Sequence, residues 1–170
     1  MNDEWIIYTD GSCTPTCSNG YGAWAAIILS PDGIKKTVTG VDYPTNNHRM
    51  EMMAILEGIK ATPSKAKVLV FSDNQYAVNT FSKWYWNWVK KPIQLAKKKN
   101  LDIIEKVTAE MLQREVALEW VRGHNGNELN EECDRICNSL AYNLYDESRK
   151  RSHSVARKYE YLKNYNQSSA

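Results

Sequence analysis

Four carboxylates stand where the chain changes element. Asp10 lies in Tyr8-Thr9-Asp10-Gly11-Ser12, at the end of an alternating stretch. Glu51 follows Asn47-His48-Arg49-Met50, in the first turns of an amphipathic segment. Asp73 lies in Phe71-Ser72-Asp73-Asn74-Gln75-Tyr76, just after a short apolar run, and Asp134 in Glu131-Glu132-Cys133-Asp134. Each taken singly has an ordinary reading. Asp10 before Gly suits a turn, Asp73 suits a helix cap, and Glu51 and Asp134 suit the positive end of a helix. Taken together they are different. Crowded carboxylates repel one another, and some stay protonated without compensation. Hard divalent cations relieve that repulsion, and an all-oxygen donor set suits Mg²⁺ or Mn²⁺. Two such ions about 3.5–4 Å apart activate water and stabilise the leaving oxygen of a phosphodiester.

Such a site needs elements that converge. Residues 4–10 alternate as a strand, with Trp5, Ile7 and Thr9 on one face and Ile6, Tyr8 and Asp10 on the other. Residues 21–29 form a second strand. Ser30-Pro31-Asp32-Gly33 is a turn, and residues 34–42 return as a third strand. A helix follows, capped at Asn46 or Asn47 and running to about Ala61, with Met52, Ile55, Leu56 and Ile59 as its apolar stripe. Lys67 to Phe71 is a fourth strand, and residues 74–88 are helical pieces. Residues 101–113 are a helix with Ile103, Ile104, Val107 and Met111 on one face, and Val116 to Val121 is a fifth strand. A helix capped by Asn130 follows, burying Ile136, Cys137, Leu140, Ala141 and Leu144. The order predicts an α/β fold: a five-stranded mixed sheet, three strands antiparallel and then two parallel, with helices on both faces. If the first and fourth strands are neighbours, Asp10 and Asp73 emerge at one sheet edge, where open α/β sheets place ligands.

The 170 residues fit one catalytic domain over 1–145 and a basic C-terminal extension over 146–170. The longest apolar or small stretch, Tyr21 to Leu29, is too short to span a bilayer, and no leader pattern precedes it. A cytoplasmic protein without membrane contact is expected. Cys13, Cys17, Cys133 and Cys137 then read as reduced, metal-free thiols, their three-residue gaps being wider than a usual zinc knuckle.

Net charge is only +2, but residues 83–100 carry six Lys and no acid, interleaved with Trp84, Trp86 and Trp88. Lys90, Lys91, Lys97, Lys98 and Lys99, with Trp84 and Trp88, are candidate contacts to a nucleic acid, the Lys neutralising phosphate and the rings packing on sugar or base. Some of the Trp residues also anchor the segment to the body. The tail carries Arg149, Lys150, Arg151, Arg157, Lys158 and Lys163 with Tyr159, Tyr161 and Tyr165. It reads as an accessory nucleic-acid contact or as a helix with frayed ends packed on the body. The tyrosines favour packing.

The local contexts together resemble ribonuclease H of type 1, which hydrolyses the RNA strand of RNA–DNA hybrids. Six stretches carry the resemblance in order: Tyr8 to Cys13, Gly20 to Ala23, Asn47 to Glu51, Ser72 to Tyr76, Trp120 to His124 and Asn130 to Asp134. It covers about Trp5 to Tyr142 and excludes the tail. The resemblance implies that Asp10, Glu51, Asp73 and Asp134 hold two Mg²⁺ ions, Asp10 bridging both and Glu51 near the 2′-hydroxyl at the cut. It implies minor-groove contacts from Gly11, Asn47 and Gln75, a mobile His124 that aids proton transfer or product departure, and 5′-phosphate and 3′-hydroxyl products. The expected enzyme is a monomer acting on hybrids. The sequence departs from the family pattern in the loop 14–19, which is not Gly-rich. His48 replaces a commoner Asn or Gln, and Asn46 stands where a phosphate-contacting Thr is usual, with Thr45 adjacent. Two other functions share parts of the pattern: an integrase- or transposase-like nuclease of the same fold, and a hybrid-binding module without catalysis. Asn47-x-Arg49-x-Glu51 and the His124 loop disfavour the first, and retention of all four carboxylates disfavours the second. The complete basic segment favours a free enzyme over a piece of a reverse transcriptase.

Overall fold

A computed structural model describes residues 2–15 and 19–168. Three strands open the chain: β1 (Glu4–Thr14), β2 (Gly20–Leu29) and β3 (Lys35–Thr45). Helix α1 (Asn47–Lys60) leads to β4 (Lys67–Ser72). Then come α2 (Gln75–Asn79), a π-helical turn over Thr80–Trp84, α3 (Tyr85–Trp88), α4 (Pro92–Leu95) and α5 (Leu101–Met111). β5 (Glu115–Trp120) and α6 (Glu128–Ser168) complete the fold. The sheet order is β3-β2-β1-β4-β5. β1, β2 and β3 pair antiparallel, whereas β4 is parallel to both β1 and β5.

The period-2 pattern of β1 sends its side chains into two cores. Ile7 packs with Met52, Ile55 and Ile59 of α1, Phe81, and Ile103, Ile104 and Val107 of α5. Tyr8, on the opposite face, packs against a cluster of Ala23, Ala25 and Ile27 with Cys133, Cys137 and Ala141 of α6. Helices therefore cover both faces, as the element order predicts. Each fully buried Ile or Val stabilises the fold by roughly 1.5–3 kcal/mol, and this fixes β1 as the central strand that presents Asp10.

Two expectations are corrected. Asn130 does not cap the last helix. Its N–H donates to Oδ1 of Asn127 (3.0 Å), so Asn127 is the capping side chain and α6 begins at Glu128. Asn130 is instead buried inside the first turn. Tyr159 and Tyr161 of the tail do not bury against the body either. α6 runs without a break past residue 145 to Ser168, and Tyr159 and Tyr161 are 72% and 69% exposed. The cause is geometric: α6 meets the sheet mainly through β1 and β2, whose ends on that side are Thr14 and Gly20, and among the described residues no strand continues beyond them. Tyr165 and Cys17 lie outside the described side chains. Cys13, Cys133 and Cys137 are buried, and Cys133 and Cys137 are free thiols. Burial and then the negative charge of Asp10 push the Cys133 thiol up to about 12 and that of Cys137 in the same direction.

Candidate active site

Sheet register brings the first two carboxylates together. The parallel ladder between β1 and β4 ends with Thr9 opposite Ser72. The next residues along each strand are Asp10 and Asp73, so both emerge at the same sheet edge. Glu51 arrives from α1, whose start is fixed by Oδ1 of Asn46 accepting from the Arg49 N–H (3.0 Å). Such a cap stabilises a helix by about 1 kcal/mol. Here it also occupies the acceptor of the residue that replaces the usual Thr. Thr45 beside it is 4% exposed.

Gly11 allows the approach. A Cβ there would lie 2.3 Å from the Glu51 nitrogen and 2.4 Å from the Met50 carbonyl carbon, so only Gly lets β1 run against the first turn of α1. Gly123 does the same for Asp73, since a Cβ would meet its Oδ2 at 2.8 Å. As a result, ligand oxygens of Asp10, Glu51 and Asp73 lie within 4.8 Å of one another. Asp134 borders this trio from α6. Its charge raises the carboxyls of Asp10 and Asp73, and its Oδ1 accepts from Nδ2 of Asn138 (3.0 Å).

The electrostatics follow from burial. Desolvation first, then the charge of Asp73, push the Asp10 carboxyl up to about 8, although the Glu51 carboxyl donates a hydrogen bond to it. Burial, then the charges of Asp10 and Asp73, hold Glu51 well above the usual carboxylate range. Asp73 is raised by burial and by Asp134, and partly offset by His124. Oε2 of Glu51 is buried with no hydrogen-bond partner among the described residues. An orphaned carboxylate oxygen among acids held protonated fits a hard divalent cation.

This predicts an unusual pH dependence for the metal-free protein. Asp10 binds its proton more tightly when folded than when unfolded. The stability tied to that proton is complete below about pH 4 and is lost as pH rises through about 8. In chelator, Asp10→Asn is expected to stabilise the fold at pH 9 by about 2 kcal/mol, or roughly 4–8 °C in Tm, and by almost nothing at pH 4. Thermal denaturation at the two pH values checks this. Equal shifts at both would remove the buried-charge account.

Other expected site residues surround the trio. Asn47 and Gln75 are the exposed first residues of α1 and α2. His124 is exposed in the β5–α6 loop, with a left-handed backbone at φ 55°. From the lip of the site an aromatic run leads to the basic segment. His48 contacts the Tyr76 ring (5.7 Å), Tyr76 meets Trp84 (5.3 Å), and Trp84 meets Trp88 (6.3 Å). Lys98 Nζ sits 4.1 Å over the Trp88 ring, while Lys90, Lys91, Lys97 and Lys99 are exposed. Trp86 is an anchor, its Nε1 donating to the Phe81 carbonyl (2.8 Å).

Sequence reasoning missed three positioning residues. Arg49 makes a two-pronged contact to Asp102 at the start of α5 (3.0 and 2.6 Å), tying the Glu51 helix to that element. Trp120 Nε1 donates to the Asp73 carbonyl (3.0 Å). Asn138 links Asp134 to Ser12 of β1, whose Oγ donates to its Oδ1 (2.6 Å). The helical spacing of Asp134 and Asn138 was a readable signal for the third.

A five-stranded sheet of this order, with carboxylates from β1, α1, β4 and α6 at one edge, defines a ribonuclease H-like nuclease. The ribonuclease H family model matches residues 2–142. The ribonuclease H of Caldicellulosiruptor saccharolyticus is 38% identical over 141 residues, covering 81% of this chain and 95% of the relative. That of Stutzerimonas stutzeri is 34% identical over 142 residues, covering 81% and 92%. The chain belongs to the ribonuclease H family of metal-dependent endoribonucleases. Its fold is similar to the crystal structure of a type 1 ribonuclease H with the type 2 active-site motif, at a TM-score of 0.73 and 21% identity, covering 84% of this chain and 74% of that one.

Proposed function

We propose that this protein hydrolyses the RNA strand of RNA–DNA hybrids, with Asp10, Glu51, Asp73 and Asp134 holding two Mg²⁺ ions that Mn²⁺ can replace. The trio of carboxylates, Asp10 and Glu51 buried and Asp73 half-buried, with a Glu51 oxygen that has no partner among the described residues, carries this reading. Bound divalent cations lower the pKa of water and stabilise charge on the leaving oxygen. Asp10 is in electrostatic contact with Asp73, Glu51 and Asp134, which would suit it to bridge. Glu51 would lie near the 2′-hydroxyl beside the cut, the group that distinguishes RNA from DNA. Gly11, Asn47 and Gln75 line the minor groove. Water oxygen bonds to phosphorus as the bond to the 3′-oxygen breaks, and that oxygen takes a proton with help from His124. The products carry 5′-phosphate and 3′-hydroxyl ends.

Incubation with labelled RNA–DNA hybrid, RNA duplex and DNA duplex, with and without Mg²⁺, tests the reading. Only the hybrid's RNA strand should be cut, and only with metal. Equal cutting of duplex DNA, or full activity in chelator, would falsify it.

The basic segment grips the substrate backbone through Lys90, Lys91, Lys97, Lys98 and Lys99, with Trp84 and Trp88 beneath. Replacing Lys97, Lys98 and Lys99 with Ala should raise KM with little change in kcat. Each lost phosphate contact should reduce the log–log salt slope by about 0.7–0.9. Lys98 should contribute least to the slope, because its ammonium already rests on Trp88. An unchanged slope would make these residues ordinary solvated surface.

A further inference from the structure

Helix α6 runs beside β1 in the same direction and continues past its end. Cys133 Sγ meets the Tyr8 carbonyl (3.4 Å), Asn138 meets Ser12 (2.6 Å), and Ser148 meets Tyr21 (2.6 Å), which pairs with Thr14. The helix therefore passes the carboxylate edge and projects beyond it. From Ser148 to Ser168 it extends about 30 Å at 1.5 Å per residue. Every described side chain from Arg149 to Asn164 is exposed.

Where α6 leaves the sheet there is a cleft of about 420 Å³ lined by Tyr21, Tyr43, Leu144, Glu147, Ser148 and Arg151. Its wall is an aromatic pair: Tyr21 and Tyr43 stack with centroids 4.0 Å apart and planes 11° from parallel. Tyr21 is pinned to the helix through Ser148, and its ring lies 6.0 Å from that of Tyr145. Tyr43 remains 56% exposed. Arg151 supplies a cation at the mouth and Glu147 an acceptor. Beyond them the arm carries Arg157, Lys158 and Lys163 against one acid, Glu160. Lys150 is already paired with Asp146 (2.9 Å).

A flat exposed ring, a cation for phosphate and an acceptor for an exocyclic amine match an unpaired nucleotide; a duplex hides its base faces. Thr14 lies four residues past Asp10, about 13 Å along the strand, or some four base steps at 3.4 Å. We propose that the Tyr43 platform and the basic arm bind a single-stranded nucleic-acid extension of the hybrid held at the carboxylates. This rests on the hybrid reading above. It replaces body packing as the role of the tail.

The test uses the full chain and fluorescence anisotropy in chelator. The probes are a blunt hybrid of about ten base pairs, the same hybrid with about ten unpaired nucleotides at each end, and a single-stranded oligonucleotide. Wild type should bind the extended hybrid about tenfold more tightly than the blunt one, the order expected for one stacked base. Tyr43→Ala and Arg151→Gln should each reduce that preference and weaken single-strand binding, leaving blunt-hybrid affinity unchanged. Tyr43→Trp should retain the preference, which separates stacking from a folding defect. Arg157→Gln with Lys158→Gln should flatten the extra salt dependence of the extended probe by about 0.7 per lost contact. Equal affinity for blunt and extended hybrids overturns the proposal, as does a preference that survives Tyr43→Ala with Arg151→Gln. An equal gain from a longer blunt hybrid overturns it in favour of duplex phosphate binding. Concentration-dependent dimerisation lost in the arm variants overturns it in favour of a second copy. Failure of the hybrid reading shows separately, as no binding to the blunt probe.

Discussion

Asp10→Asn should leave a folded protein with no measurable hybrid cleavage, a loss of at least about 10⁴-fold. The amide keeps the size of the side chain and can still accept the Gly11 N–H that Asp10 Oδ1 accepts at 2.9 Å. What it removes is the charge at the centre of the cluster. Several kcal/mol of charge stabilisation pass through a metal ligand of this kind, and each 1.36 kcal/mol is tenfold in rate. Asp73→Asn and Glu51→Gln should behave similarly, since both belong to the trio within 4.8 Å. Asp134→Asn should be milder, because Asp134 stands outside that trio and is shared with Asn138. Steady-state cleavage of a labelled hybrid, with circular dichroism as the folding control, measures the series. Activity above about one per cent in Asp10→Asn would end the argument for a bridging carboxylate.

The second large effect concerns His124. Its Ala variant should lower kcat by about 10²-fold, within the range of a proton helper, and leave KM nearly unchanged. The side chain is exposed and holds no metal-cluster position, yet it is close enough for its charge to lower Asp73. The loop that carries it bends through left-handed backbone at His124 (φ 55°) and Gly126 (φ 78°), a shape suited to swinging a ring in and out. Wild-type kcat would leave His124 an ordinary loop residue. A variant as inactive as Asp10→Asn would show that it does more than move protons.

The sheet and the carboxylates were readable because both follow local rules. Alternation put Asp10 on β1, although the strand runs on to Thr14 and only its ladder with β4 stops at Thr9, and the cap at Asn46 placed Glu51 early in α1. Residue type alone failed at the start of α6. Asn127 and Asn130 are equally good caps by chemistry, and the choice fell to the one whose side chain stays at the surface. Contacts between distant segments were not readable either: Arg49 to Asp102 spans 53 residues and Trp120 to Asp73 spans 47. The length of α6 had a signal that charge obscured. No Gly or Pro occurs from residue 127 to the end, so nothing in that stretch stops a helix once it has begun. Exposure of its tyrosines depends on where the sheet ends, which no local pattern states.

The parallel pairing of β1 with β4 has a consequence for how the molecule opens. Asp10 and Asp73 sit one step beyond a ladder between two interior strands, each flanked on its other side by a further strand. Amides of such strands exchange with solvent only through near-global unfolding. The amides of Ile7, Tyr8 and Phe71 should therefore exchange at the slowest rates in the protein, whereas those of the arm beyond Arg149 exchange through cheap local fraying. A protease can trim the arm without disturbing the carboxylates. Asp10 and Asp73 should therefore be held together until that ladder itself opens, so this half of the site and the core should share one opening free energy.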